Sequence, residues 1–126
     1  MTRVAQLTPP THPSATLRVV APDTLELSGK ITSRDPGSEL GPFFRAAHEA
    51  AKADGLTQFN VDVSGLDFVN SSSIRLFVDW ATWLKAEGAP SYVLKFVTNR
   101  TTTWQRTSFV ALKALAKDVV SVETKN

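Results

Sequence analysis

The sequence of 126 residues contains no cysteine, so disulfide bonds and thiolate metal sites are excluded. A chain without disulfides fits a reducing compartment. It also has no apolar run approaching the roughly 20 residues that a membrane-spanning helix needs. Its first residues lack the apolar segment of a signal peptide. We therefore expect a cytoplasmic protein that makes no contact with a membrane.

The sequence also has little excess of charge of one sign. Fourteen Lys and Arg residues face 12 Asp and Glu residues, which gives a formal net charge of +2. That value is too small to indicate nucleic acid or an anionic membrane as a partner. The C-terminal third is locally basic around Trp104, but Trp104 falls on the apolar stripe of a predicted helix. We interpret that tryptophan as a core residue and expect no nucleic-acid binding.

Catalytic signals are equally scarce, because the chain has only two histidines. His12 lies in a proline-rich stretch, and His48 lies beside the apolar stripe of a predicted helix, where we expect it to be solvated. The serine-hydrolase elbow, the zinc-binding H-E-x-x-H motif and the phosphate-binding P-loop do not occur. The sequence therefore predicts neither an enzyme nor a metal or cofactor site.

The chain length suits a single domain. Residues 1–14 contain Pro9, Pro10 and Pro13 among polar residues, and we predict an extended N-terminal tail there. Residues 15–126 are predicted to form the domain.

Hydrophobic periodicity predicts five strands and three helices in that domain. Two strands separated by Pro22-Asp23 form a hairpin. The first helix begins near Gly41 or Pro42, or instead at Asp35-Pro36, and ends at Gly55. The remaining helices begin at residue 71 and after Thr102, where Gln105 has the spacing of a capping box. The predicted strands are residues 16–21, 24–28, 57–65, 91–98 and 118–123.

The resulting order is β-β-α-β-α-β-α-β. After the hairpin, strands alternate with helices, which favours parallel pairing through right-handed crossovers. We predict an α/β fold with a single mixed β-sheet and helices packed on it. The strongly apolar run at 91–98 is typical of a strand that is covered on both faces.

Three consecutive serines, Ser71 to Ser73, follow Asn70 at the junction "FVNSSSIRLF". Asn70 or Ser71 is expected to cap the helix that starts there. One cap is sufficient, so at least one other hydroxyl is left to face solvent. A phosphate at this position would meet backbone N–H groups and the positive end of the helix dipole.

The helix over 71–86 carries two apolar stripes. We expect one of them to face the sheet: Ile74, Phe77, Val78, Ala81 and Leu84. The other consists of Leu76, Trp80 and Trp83. It is either an exposed protein interface, since tryptophan is enriched at binding hot spots, or a surface covered by the tail or the third helix.

The stretches "LELSGKI" and "NVDVSGLDFVNSSSIRLFVDW", with the intervening amphipathic helix, resemble the STAS domain of bacterial anti-sigma-factor antagonists over roughly residues 16–122. The family motif has the form apolar-Asp-Ser-Ser/Thr-Gly-apolar. The resemblance places Asn70 at the acidic position, Ser71 at the phosphorylated serine and Ser73 at the glycine. The side chain of Ser73 is expected to crowd the surface that a kinase would approach.

The resemblance implies a regulatory protein of a partner-switching pathway that acts by protein–protein binding and is not an enzyme. Its implied partners are a serine kinase with a histidine-kinase-like ATPase fold, which is also the anti-sigma factor, and a PP2C-type phosphatase. Ser71 would be the phosphorylated residue, with Ser72 as second choice. The implied docking surface comprises Asn70, Ser71, Ser72, Arg75, Leu76, Asp79, Trp80 and Trp83.

Two other hypotheses remain open at this point. The domain could be a scaffold without phosphorylation that forms a homodimer or a hetero-oligomer through the stripe of Leu76, Trp80 and Trp83. It could instead use the corner at Ser71 to Ser73 as a site for a nucleotide or another small phosphorylated ligand.

Overall fold

A computed structural model describes residues 3–32, 34–87 and 92–125. The N-terminal part contains a 3-10 helix, Val4–Gln6, and the hairpin strands β1 and β2. The remaining elements alternate helix and strand after an extra short helix, α1. The bounds are β1 Ala15–Ala21, β2 Thr24–Ile31, α1 Pro36–Glu39, α2 Gly41–Ala53, β3 Gln58–Val69, α3 Ser71–Ala86, β4 Val93–Asn99, α4 Thr103–Leu115 and β5 Val120–Lys125.

The five strands form one mixed sheet in the order β1-β2-β3-β4-β5. Strands β1 and β2 are antiparallel, and every later pair is parallel. The α/β class with a single mixed sheet is thus confirmed. Helices α2, α3 and α4 lie on the same face of the sheet, since Phe77 of α3 contacts both Phe44 of α2 and Phe109 of α4.

The opposite face of the sheet is polar. Pairs of opposite charge cross between neighbouring strands, such as Arg18 with Glu26 at 2.9 Å and Lys95 with Glu123 at 3.1 Å. Along β4, buried residues alternate with half-buried ones. The prediction that this strand is covered on both faces was therefore wrong. Its apolar run contains Lys95 on the outer face, which marks the face that stays open.

The two predicted starts of the first helix both occur. Asp35 caps the short helix α1, accepting a hydrogen bond from the N–H of Ser38 at 3.4 Å, with Pro36 in the first turn. Helix α2 begins anew at Gly41, so Pro42 lies in a first turn, where its missing N–H costs nothing.

Aromatic side chains fill the space between the helices and the sheet. Phe77 of α3 is the centre, with ring centroids 5.5 Å from Phe44, 5.6 Å from Phe96 and 5.4 Å from Phe109. Burial of each such ring stabilises the fold by roughly 1.5–3 kcal/mol. The core therefore ties α2, α3, β4 and α4 together.

The segment that we predicted as an extended tail contacts the domain at its beginning. Val4 is completely buried, and its N–H donates to Asp54 Oδ2 at 3.0 Å, beside the end of α2. Residues 8–14 have no regular helix or strand. The division of the chain at residue 14 stays a prediction.

Candidate functional site

The junction between β3 and α3 is positioned by an unusually long strand. Strand β3 stays paired with β2 as far as Val69, opposite Ile31, but its pairing with β4 ends at Asp62. The second half of β3 therefore needs other partners for its backbone on the β4 side.

A buried glutamine supplies those partners. Gln105 of α4 donates from Nε2 to the carbonyl oxygens of Val63 and Leu66, at 2.8 and 2.7 Å. Its Oε1 accepts from the N–H of Asn99 at 2.6 Å. The predicted capping box was wrong, because Thr102 makes no side-chain capping bond within the described chain and Gln105 points into the core. Its spacing from Thr102 fits either role, so the sequence could not separate them.

Trp104 also bonds to the same junction, on the side nearer the surface. Its Nε1 donates to the carbonyl oxygen of Asp67 at 2.9 Å, and its ring lies 6.3 Å from that of Phe109. The indole is half-buried against the core, whereas we had expected this residue to lie within it. The β3–α3 junction is thus held by two neighbouring residues at the start of α4.

Asn70 caps α3. Its Oδ1 accepts from the N–H of Ser73 at 3.0 Å, and its own N–H donates to Ile31 at the end of β2, also at 3.0 Å. One of the two predicted caps, Asn70, is therefore confirmed. An asparagine side chain thus supplies the oxygen that caps this helix.

Of the three serines, two are exposed and one is buried. Ser71 and Ser72 are exposed at the first two positions of the helix. Ser73 is 1% exposed, and its Oγ has no hydrogen-bond partner among the described residues. The expectation that Ser73 crowds the outer surface was wrong, because its side chain points inward.

The electrostatics of the corner favour a negative charge. The first turn of α3, all of which the structure describes, contains no acidic residue. The N-terminal end of a helix has unsatisfied N–H groups and a partial positive charge. The exposed hydroxyls of Ser71 and Ser72 are thus at a position where an added phosphate would be stabilised.

The second apolar stripe of α3, Leu76, Trp80 and Trp83, is mostly buried. Leu76 and Trp80 are 6% and 0% exposed, and Trp83 is half-buried. The ring of Trp80 lies 5.5 Å from Phe44, so α2 covers this side of α3. The docking role expected for Leu76 and Trp80 was therefore wrong. Of the two readings left open, the stripe is covered, but by α2 and not by the tail or the third predicted helix.

The remaining docking residues stay at the surface. Arg75 is exposed and Asp79 is half-buried on the outer side of α3. The ring of Trp83 is covered by the guanidinium of Arg45, 4.8 Å from its centroid. On the other stripe, Ile74 and Val78 are only half-buried, although we expected them to face the sheet.

His48 is buried, which corrects the expectation of a solvated side chain. Trp80 Nε1 donates to Tyr92 Oη at 2.7 Å, and the same hydroxyl is hydrogen-bonded to His48 Nδ1, also at 2.7 Å, in a direction set by the histidine tautomer. His48 Nε2 lies 3.4 Å from Glu87 Oε2. Burial lowers the pKa of His48 despite the nearby Glu87 carboxylate. The spacing from Phe44 to His48, one helical turn, was the signal that this histidine lies on the buried face.

A groove between α3 and α4 was not predicted. It encloses about 200 Å³ and continues into a hollow of about 300 Å³ towards the C-terminal ends of the two helices. Its lining is mainly apolar and comes from Ile74, Phe77, Val78, Ser108, Phe109, Ala111, Leu112 and Leu115. The open stripe of α3 forms one wall of this groove.

Other kinds of site are missing from the described ranges. Among residues 3–32, 34–87 and 92–125, no group of three or more His, Asp or Glu side chains is arranged to hold a metal ion. In the same ranges, no helix combines the length and the apolar character that crossing a bilayer requires.

Sequence comparison identifies no relative, since no family model and no curated protein matches the chain. Structure comparison finds proteins of similar fold. SiaC from Pseudomonas aeruginosa, seen in the crystal structure of the diguanylate cyclase SiaD in complex with this activator, superposes with a TM-score of 0.67. The identity is 16%, and the match covers 94% of this chain and 98% of that chain.

An anti-sigma factor antagonist from Mycobacterium paratuberculosis matches with a TM-score of 0.57 at 18% identity, over 88% of this chain and 89% of that chain. The chain has a STAS-like fold. Both matches span most of the chain. At these identities the likeness concerns the fold.

Proposed function

We propose that this chain is a non-enzymatic STAS-like regulator that binds a protein partner at the β3–α3 corner and is released when Ser71 is phosphorylated. The observation that carries the proposal is the exposed Ser71 hydroxyl at the start of α3, next to a helix cap that does not depend on it. A modification there adds charge without removing a bond that the fold needs.

The partners follow from the kind of regulator. The kinase is a serine kinase with a histidine-kinase-like ATPase fold that also serves as an anti-sigma factor, and a PP2C-type phosphatase reverses the reaction in the cytoplasm. The fold matches support this class, because one matched protein is an activator of a diguanylate cyclase and the other is an antagonist of an anti-sigma factor.

The chemistry at Ser71 is that of a substrate. The Ser71 oxygen forms a bond to the γ-phosphorus of ATP, the bond from that phosphorus to the bridging oxygen breaks, and ADP leaves. The kinase takes up the hydroxyl proton. The phosphoserine then carries nearly two negative charges beside the positive end of α3. The fold tolerates this charge while a docked surface must rearrange around it.

Phosphorylation in vitro tests the proposal. The chain is incubated with a purified kinase of this class and ATP, and intact and peptide masses are measured. We expect one phosphoryl group on Ser71, none on the Ser71→Ala variant, and unchanged labelling of the Ser72→Ala variant. Label that persists in the Ser71→Ala variant would move the site, and the absence of label and of binding would overturn the proposal.

A second candidate is a scaffold that binds a partner permanently and is not phosphorylated. The α3–α4 groove favours it, since apolar residues stay open there without any modification. The scaffold hypothesis was first based on the stripe of Leu76, Trp80 and Trp83. That stripe does not support it, because two of the three side chains are buried. Stable binding of the kinase without label on Ser71 would favour this candidate.

A further inference from the structure

The groove between α3 and α4 starts at the same helical face that presents Ser71. Residues spaced three or four apart lie above one another on a helix. Ser71 is followed at such spacings by the half-buried Ile74 and Val78, which line the groove. Thr82 and Lys85 continue the row and line its far end. A protein that reaches Ser71 from this side must therefore cover the groove.

The size of the groove fits a helix. From Ile74 to Lys85 the wall extends over about 16 Å, or three helical turns, at 1.5 Å per residue. Both walls are helices, so the groove offers no strand edge for pairing. Its floor consists of apolar side chains, among them Phe77, Phe109 and Leu112. Such a groove accommodates the apolar face of an amphipathic helix.

The charges at the rim indicate what the other face of that helix carries. Two cations project from the α3 side, the exposed Arg75 near the beginning and the exposed Lys85 near the end. Lys85 Nζ also donates to the carbonyl oxygen of Leu115 at 3.2 Å, which joins the two walls at the closed end. Acidic residues flanking the apolar stripe of the occupant complement this rim.

We infer that the α3–α4 groove is a docking site for an acidic amphipathic helix of the partner protein. The inference rests on the function proposed for Ser71. A stable interface needs roughly 800 Å² from each partner and an apolar centre. The serine corner is polar, so the adjacent groove supplies that centre.

Phosphorylation would then act on the docked helix directly. Arg75 lies four residues after Ser71, on the same side of α3, where a phosphate on Ser71 pairs with its guanidinium. The modification both withdraws Arg75 from the acidic helix and places like charge at the mouth of the groove. Release on phosphorylation is the expected consequence.

Two exposed apolar residues of α4 provide a matched test. Leu115 is 67% exposed and lines the groove, whereas Val110 is 58% exposed and lies on another side of the helix. Affinity for the kinase used in the phosphorylation assay is measured by calorimetry without ATP. We expect Leu115→Glu to weaken binding at least tenfold and Val110→Glu to change it less than twofold. Circular dichroism checks that both variants are folded.

Two charge-reversal variants extend the test to the rim of the groove. We expect Arg75→Glu to weaken binding several-fold, while Arg106→Glu, an exposed arginine on α4 away from the groove lining, has less than a twofold effect. Equal effects of the two reversals would exclude an acidic helix beside Arg75.

The outcomes separate the two proposals. If Ser71 is phosphorylated but Leu115→Glu binds like the wild type, the groove inference is wrong and the function stands. If the kinase neither binds nor phosphorylates the chain, both are overturned. If light scattering finds that the chain alone is a dimer that Leu115→Glu makes monomeric, a second copy occupies the groove and the inference is overturned.

Discussion

The two sides of helix α3 carry similar apolar residues but differ in how far these residues are buried. On the side facing α2, Trp80 is completely buried and hydrogen-bonded. On the side facing α4, Ile74 and Val78 are half-buried and border an open groove. Helix α2 lies directly against α3, whereas α4 leaves a gap. Two apolar stripes on one helix therefore do not reveal by themselves which of them is available to a partner.

The largest difference between the two sides is expected in stability. Trp80→Ala removes a buried ring and the N–H donor to Tyr92, and such changes cost about 3–5 kcal/mol. Val78→Ala removes two methyl groups from a half-buried position, and we expect it to cost about 1 kcal/mol. Urea denaturation of both variants measures the two values. Comparable losses would mean that the α4 side is packed as closely as the α2 side.

The groove beside α3 depends on the position of α4, and Gln105 is one of the residues that hold α4 against β3. Gln105→Leu leaves two carbonyl oxygens and one N–H without their partner in a buried position, which we expect to cost about 2–3 kcal/mol of the free energy of unfolding. Arg106→Ala on the exposed side of the same helix is the control, with a change within about 0.5 kcal/mol. A Gln105→Leu variant as stable as this control would show that the β3 extension does not need the glutamine.

On the side of α3 that is covered by α2, His48 is expected to make the stability of the protein depend on pH. Burial lowers its pKa in the folded state below the ordinary value of 6.5. Below that pH the unfolded chain binds more protons than the folded one, so stability is present above about pH 6.5 and declines as the pH falls towards the folded-state pKa. The slope is at most about 1.4 kcal/mol per pH unit. Urea midpoints between pH 5 and 7.5 measure this decline.

The control for the pH dependence is His48→Asn, which lacks a group that titrates in this range. We expect a flatter profile between pH 5 and 7.5 for this variant, on top of a lower overall stability. Identical slopes in the two proteins would assign the pH dependence to other groups.

Local sequence signals predicted local structure well. The cap at Asn70, the bounds of α3 and the alternation of strands and helices depend on neighbouring residues, and the structure has all of them. The existence of two apolar stripes on α3 was also correct. These features follow from periodicity and capping chemistry within a single element.

The errors arose where one element meets another. Periodicity places Trp80 and Val78 on different faces of α3 but does not say that α2 packs closely and α4 does not. In the same way, the role of His48 depends on Tyr92, which is 44 residues away in sequence. The role of Gln105 depends on the β3 extension, where Val63 is 42 residues away. Such pairings are set by the three-dimensional arrangement of the helices, which a pattern within one helix does not contain.

Because the natural chain has no cysteine, thiol labelling tests the central claim directly. Ala111 and Val110 are adjacent and both exposed, but only Ala111 lines the groove. Single Ala111→Cys and Val110→Cys variants are reacted with a thiol reagent with and without the bound kinase. The account predicts that the kinase slows labelling of Ala111→Cys at least tenfold and leaves Val110→Cys unchanged. Unaltered labelling of Ala111→Cys in the complex would contradict it.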